Sequence, residues 1–201
     1  MNTEKELFLY HYFERKAGPF LTLSALPIEE AREILIDKKN AGQFGNLDIE
    51  DFLKKRYDRD EKLREVFVKH GGKPKNTAPV YMMLGEHPQW ASAYENPAVI
   101  KIPLKEFNRF DVSFSYGDSF AVFNPALFGE EEYWNKLYFA DEILKVINRN
   151  RLPPYVKYDF KHGIYPTDKN INDHLKYVEA HVWDDTVIHK YRIKWMQDNG
   201  F

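Results

Sequence analysis

Pro79-Val80-Tyr81-Met82-Met83-Leu84-Gly85 is the stretch at which the chain changes period. Upstream of it, apolar residues recur at helical spacing. From Ser24 a helix is expected: Pro27 suits a first turn, Glu29 and Glu30 suit the positive N-terminal end, and Ile28, Ala31, Ile34 and Leu35 share a face. Asn40, Gly42 and Gly45 close it. A second helix starts at the N-cap Asp48 and carries Ile49, Phe52, Leu53, Tyr57, Leu63 and Phe67 before Gly71-Gly72 and Pro74 stop it. This spacing predicts burial of Phe52, Leu53 and Phe67 and exposure of Lys55 and Arg59.

Downstream, short runs alternate. Val80 to Leu84, Val99 to Leu104, Val112 to Tyr116, Tyr177 to Trp183 and Lys190 to Met196 read as strands, and Gly117-Asp118 marks a turn. Leu7 to Phe13 reads as a first strand or the lead-in to a loop, and His87 to Pro97 as a loop or short helix. A helix is expected from about Asp141 to Asn148, with Ile143, Leu144 and Ile147 on one side. Leu152 to Asp173, with three Pro and no period, reads as a long loop. A helix-rich first half and a strand-rich second half predict an α+β fold with a mixed or antiparallel sheet, in one domain over residues 1–201. No Gly-rich phosphate loop follows a strand, so Rossmann and P-loop folds are unsupported.

Composition narrows the function classes. The chain has 201 residues, 43% hydrophobic and 30% charged, as expected of a globular protein. A net charge of -2 gives no global attraction to nucleic acid or membrane. Zero Cys excludes disulfides, thiolate zinc sites and Cys nucleophiles and suits a reducing compartment. No signal-peptide core and no apolar run near the roughly 20 residues of a membrane span is present, which makes a cytoplasmic location the expectation.

Glu179 and His181 alternate on one strand face, and His11, His87 or His189 could join them around a metal. No HExxH or clustered ligand spacing supports this, so no metal is expected. Gly117-Asp118-Ser119 lacks the nucleophile elbow of a serine hydrolase. The cations of the second helix, interleaved with Glu50, Asp51, Asp58, Asp60, Glu61 and Glu65, read as a solvated face rather than a phosphate-binding strip.

A more distributed pattern remains: His11 on an early strand, Tyr81 on a second and Glu179 on a late one. Such a trio can hold a nicotinamide nucleotide. The His hydrogen-bonds a ribose hydroxyl, the ring stacks on nicotinamide, and the carboxylate stabilises the oxocarbenium-like charge that grows as the glycosidic bond breaks. Leu9-Tyr10-His11, Ser113 to Asp118, and Val178 to Val182 followed by Asp184 to Ile188 resemble stretches of the ADP-ribosyltransferase superfamily, in its DNA-targeting bacterial toxin branch. The text is also similar to uncharacterised bacterial proteins. The resemblance implies NAD as substrate, Glu179 as catalytic residue, His11 and Tyr81 as cofactor-binding residues, and a nucleobase or protein side chain as acceptor. That branch uses a basic residue to help deprotonate the base, for which Arg15 and Arg32 are the candidates in this sequence. The alternative is a non-catalytic module that holds a small ligand or peptide in an aromatic cleft around His87, Trp90 and Tyr94.

Overall fold

The two-sided display of side chains along five strands decides the architecture. In the computed structural model, which describes residues 6–42, 45–123, 132–150 and 177–200, these strands are β1 (Phe8–Glu14), β2 (Val80–Leu84), β3 (Pro97–Pro103), β4 (Val112–Tyr116) and β5 (Val178–Val182). They form one sheet in the order β3-β1-β2-β5-β4, and every pairing is antiparallel. The helices are α1 (Ile28–Asn40), α2 (Ile49–Lys69), the single turn α3 (Ser119–Val122), α4 (Ala140–Asn150) and α5 (Asp185–Asn199). The protein is thus α+β, with an antiparallel sheet. The loop expected over residues 152–173 lies outside the described residues.

The registers sort the side chains into two faces, since paired residues point the same way. Leu9 opposes Leu84 and Ile102, Met82 opposes Ala180, and Phe114 opposes Ala180, so one face is apolar. It is buried against Ile143 of α4 and Ile188 of α5, with Leu144, Ile147, Tyr191 and Trp195 packed around them. The other face carries Tyr81, Met83, Ser113, Ser115, Glu179 and His181. Here Leu63 and Phe67 of α2 pack with Leu137, Phe139 and Trp183, while α1 packs against the first half of α2 through Ala31, Leu35 and Leu53.

The punctuation read for α2 is the observed one. The Asp48 carboxylate accepts from the Asp51 N–H at 3.1 Å, and at the far end Gly72 donates to the Phe67 carbonyl at 2.8 Å. Gly72 is required there, because a Cβ would lie 2.5 Å from the Phe67 ring. Lys54–Asp58 and Lys55–Asp51 form exposed i,i+4 pairs, as a solvated face should. Arg59 departs from expectation. Only 17% of its side chain is exposed, because it turns inward toward the polar face of the sheet.

The second departure is Lys190 to Met196, which is helix within α5 rather than strand. Tyr191, Ile193 and Trp195 imitate a period of two. However, Ile188, Tyr191 and Trp195 also fit helical spacing, and these are the residues that pack on the sheet, whereas Ile193 and Met196 are exposed. Local capping decides between the two periods: Asp184 accepts from the Thr186 N–H at 2.8 Å, and Gly200 adopts φ 73° to end the helix. No helix among the described residues is long and apolar enough to cross a membrane.

Phe67 is fully buried, whereas Phe52 is only half-buried at the α1–α2 contact. Urea denaturation of Phe67→Ala should therefore show a loss of about 3–5 kcal/mol, with a clearly smaller loss for Phe52→Ala.

Candidate functional site

Glu179 sits on β5, between β2 and β4, with only 12% of its side chain exposed. A buried carboxylate requires partners, and it has them. The Ser119 N–H donates to Oε2 at 2.9 Å, and His181 Nε2 lies 3.1 Å from the same oxygen. The His181 ring is itself held at Nδ1 by Ser113 Oγ at 3.2 Å, and that oxygen accepts from Trp183 Nε1 at 2.9 Å. Indole N–H can only donate. The Ser113 hydroxyl proton is therefore free to point at Nδ1, which leaves Nε2–H to donate to Glu179. The chain Trp183–Ser113–His181–Glu179 orients the carboxylate from beneath.

Burial acts to raise the Glu179 pKa, but the His181 hydrogen bond, the Arg59 guanidinium and the Ser119 N–H outweigh it and hold it below the ordinary range. Asp118 behaves oppositely. Burial, reinforced by the Glu179 charge, pushes its carboxyl up to about 6, against the pull of Arg59, the Phe120 N–H and Tyr177. Asp118 also caps α3, accepting from Phe120 N at 2.8 Å. The Tyr177 hydroxyl faces this carboxyl, and the neighbouring Ser119 hydroxyl is buried without a partner.

Tyr81 shares this face. Its hydroxyl donates to Asp60 and accepts from Arg59 Nε at 3.2 Å. The guanidiniums of Arg56 and Arg59 each lie 5.2 Å from its ring centroid, and the His181 ring meets it edge-on at 5.4 Å. Burial pushes the phenol pKa up, so it stays protonated. Asp60 is buried, and its Oδ2 has no partner. The ring expected to be an open stacking platform is thus already clasped by two cations and an imidazole.

His11 does not join this group. It lies on the apolar face with Leu9 and Phe13, opposite Ile100, while Tyr81 and Glu179 point to the other side of the sheet. Both ring nitrogens are engaged: Nδ1 with the Tyr81 carbonyl at 3.0 Å, and Nε2 accepting from the Phe20 N–H at 2.9 Å. The neutral Nδ1–H tautomer satisfies both bonds. Phe20, with the unusual φ of 62°, stacks on the imidazole at 4.8 Å and is held at its carbonyl by Arg192. His11 is an anchor for this bend.

The proposed assisting cations are also elsewhere engaged. Arg15 bonds Asn199 and Arg32 pairs with Glu50, whereas the guanidinium that acts on Glu179 and Asp118 belongs to Arg59. Sequence reasoning missed Arg56, Arg59 and Asp60, although Arg56 and Asp60 fall on the same helical stripe as Leu53, Leu63 and Phe67. The aromatic segment meets this same site. His87 and Trp90 pack edge-on against Tyr177 at 5.9 and 5.7 Å, so Tyr177 stands between them and Asp118.

Among the described residues no group of three or more His, Asp or Glu is placed to hold a metal ion. Comparison with protein-family models, curated proteins and solved structures returns no match, so the site stands on its geometry.

Burial lowers the His11 pKa from the ordinary 6.5 to about 4, despite the Tyr81 carbonyl, and Arg192 adds to the fall. The unfolded chain therefore binds a proton between these values that the folded chain refuses, and stability drops as pH falls through that window. The loss should approach about 3 kcal/mol by pH 4. Denaturation from pH 7 to 4 should show a shallower slope for His11→Gln than for the parent.

Proposed function

We propose that the Glu179 face binds NAD and breaks its N-glycosidic bond, transferring ADP-ribose to a nucleobase or protein side chain. The observation that carries this reading is the fixed, ionised Glu179, oriented by His181 and the Ser119 N–H, with Arg59 holding its charge. Glycosidic cleavage puts positive charge on the ribose C1′ and ring oxygen. A carboxylate that is ionised and immobile before the reaction stabilises that charge without reorganisation. The nicotinamide ring enters as a cation and leaves neutral. An acidic pair beside the rings of Tyr177 and Trp90 suits a cationic aromatic group in the ground state, and Glu179 suits the sugar as charge moves onto it. The resemblance to ADP-ribosyltransferases around Val178 to Val182 points the same way. His11 takes no part in this version of the site, and Tyr81 serves as a clasped wall rather than a free stacking surface.

A second reading is favoured by the pre-pairing of Tyr81, Arg59 and Asp60, which closes groups that an enzyme would leave for substrate. On this reading the face, with the His87–Trp90–Tyr177 rings, is a non-catalytic module that holds a small ligand or peptide.

Thermal denaturation separates binding from no binding: NAD at about 100 times its dissociation constant adds roughly 2.7 kcal/mol. Release of nicotinamide then separates enzyme from module. Glu179→Gln keeps the size and one acceptor but loses the charge, and nicotinamide release should fall on the order of 10²–10³. An equally active Gln variant, or a parent that neither binds nor cleaves NAD with a broad set of acceptors, overturns the enzymatic reading.

A further inference from the structure

Two carboxyl groups on one buried face are more than oxocarbenium stabilisation requires. Asp118 reaches Glu179 because the turn after β4 folds back over β5: Ser115 pairs with Glu179 in the sheet, and Ser119, four residues on, donates its N–H to the same carboxylate. Glu179 is closed from below by His181 and from the turn by Ser119. Asp118 is engaged at Oδ1 by the Phe120 N–H. The Tyr177 hydroxyl faces its carboxyl, and on the next residue the buried Ser119 hydroxyl has no partner. Buried polar groups in folded proteins are nearly always satisfied, so an orphan hydroxyl one residue from a carboxylate marks a place for a protic group.

We infer that Asp118 is the general base of this site, taking the proton of the acceptor while the Ser119 and Tyr177 hydroxyls position it. The inference rests on the reading of Glu179 given above. The step balances as follows. The bond between C1′ and the nicotinamide nitrogen breaks and its electron pair goes to the ring, giving neutral nicotinamide. A lone pair of the acceptor O–H or N–H bonds to C1′. The acceptor's proton passes to the Asp118 carboxylate and then to solvent. The acceptor class that follows is any nucleophile with a proton to lose, water included. The groups facing Asp118 are Glu179 from β5, Arg59 from α2, Tyr177 before β5 and the Phe120 N–H of α3. Burial first and the Glu179 charge second raise its basicity, and the other three keep it ionised near neutrality, which suits a base working at pH 7.

The test uses NAD with water as acceptor, the intact protein, and the variants Asp118→Asn and Glu179→Gln. Asn caps a helix as well as Asp does, so the α3 turn survives the substitution. In the parent, kcat/KM for nicotinamide release should fall tenfold per pH unit below about 6. In Asp118→Asn this acid limb should vanish and the plateau should drop by about 10²–10⁴, while stabilisation by NAD is retained. Asp118→Glu should recover part of the rate and the limb. Carbon-13 NMR of the free protein should show Asp118 titrating near 6, and returning toward the ordinary range in Glu179→Gln. If the parent cleaves NAD but Asp118→Asn keeps rate and limb, or Asp118 titrates as an ordinary aspartate, this inference fails and the Glu179 reading stands. If the parent does not cleave NAD, both fail.

Discussion

The polar face of the sheet must be buried without leaving its charges unpaired, and most of the remaining structure follows from that constraint. β5 lies between β2 and β4, so strand alternation sends Glu179 and His181 to the side opposite Ala180 and Val182. An unpaired charge in such a position costs several kcal/mol. The protein meets the demand from three directions. Ser113 on β4 and Trp183 just past β5 hold the imidazole, the turn at Ser119 holds the carboxylate, and Arg59 on α2 supplies the opposing charge. The inward turn of Arg56, Arg59 and Asp60 follows from this. Their stripe on α2 lies over the polar face, whereas Leu63 and Phe67, one and two turns further on, lie over the apolar cluster around Trp183.

The same constraint separates two carboxyl groups that begin alike. Glu179 has a hydrogen-bonded histidine, a backbone N–H and a guanidinium, and is held ionised. Asp118 has the Glu179 charge as a neighbour and fewer partners, and is pushed upward. Carboxyls whose environments drive their pKa values apart are the usual basis for dividing labour within an active site. His11 shows the contrast on the opposite face. Its surroundings are Phe13, Phe20 and the core, both nitrogens are bonded, and nothing remains to offer a ligand.

Tyr177 joins what the chain presents as two regions. Its ring receives the edges of His87 and Trp90, and its hydroxyl faces Asp118. The aromatic segment after β2 and the acidic turn after β4 are therefore parts of one surface, and a ligand bound by the rings would lie against the carboxyl groups. The enzymatic and the binding readings compete for the same place.

Much of the architecture was written in local pattern. The period of two at Val80 to Leu84 and Val112 to Tyr116, the Asp48 cap and the Gly71-Gly72 stop are short-range signals, and each element formed where they stood. Lys190 to Met196 was misread because its aromatic residues satisfy two periods at once, and the Asp184 and Gly200 caps outside it settle the choice. Glu179 could be named from its strand, but its partners could not. His181 is two residues away, yet Ser113, Asp118, Tyr81 and Arg59 arrive from distant parts of the chain through antiparallel registers that a single sequence does not display. Which face His11 occupied depended on the same thing. A shift of one residue in register reverses every side chain, and only pairing with β2 and β3 fixes it. The sequence by itself determined most of the elements and the caps, because those are set within a few residues. Tertiary pairing alone decided which charged groups would meet, because burial and opposing charge act through space.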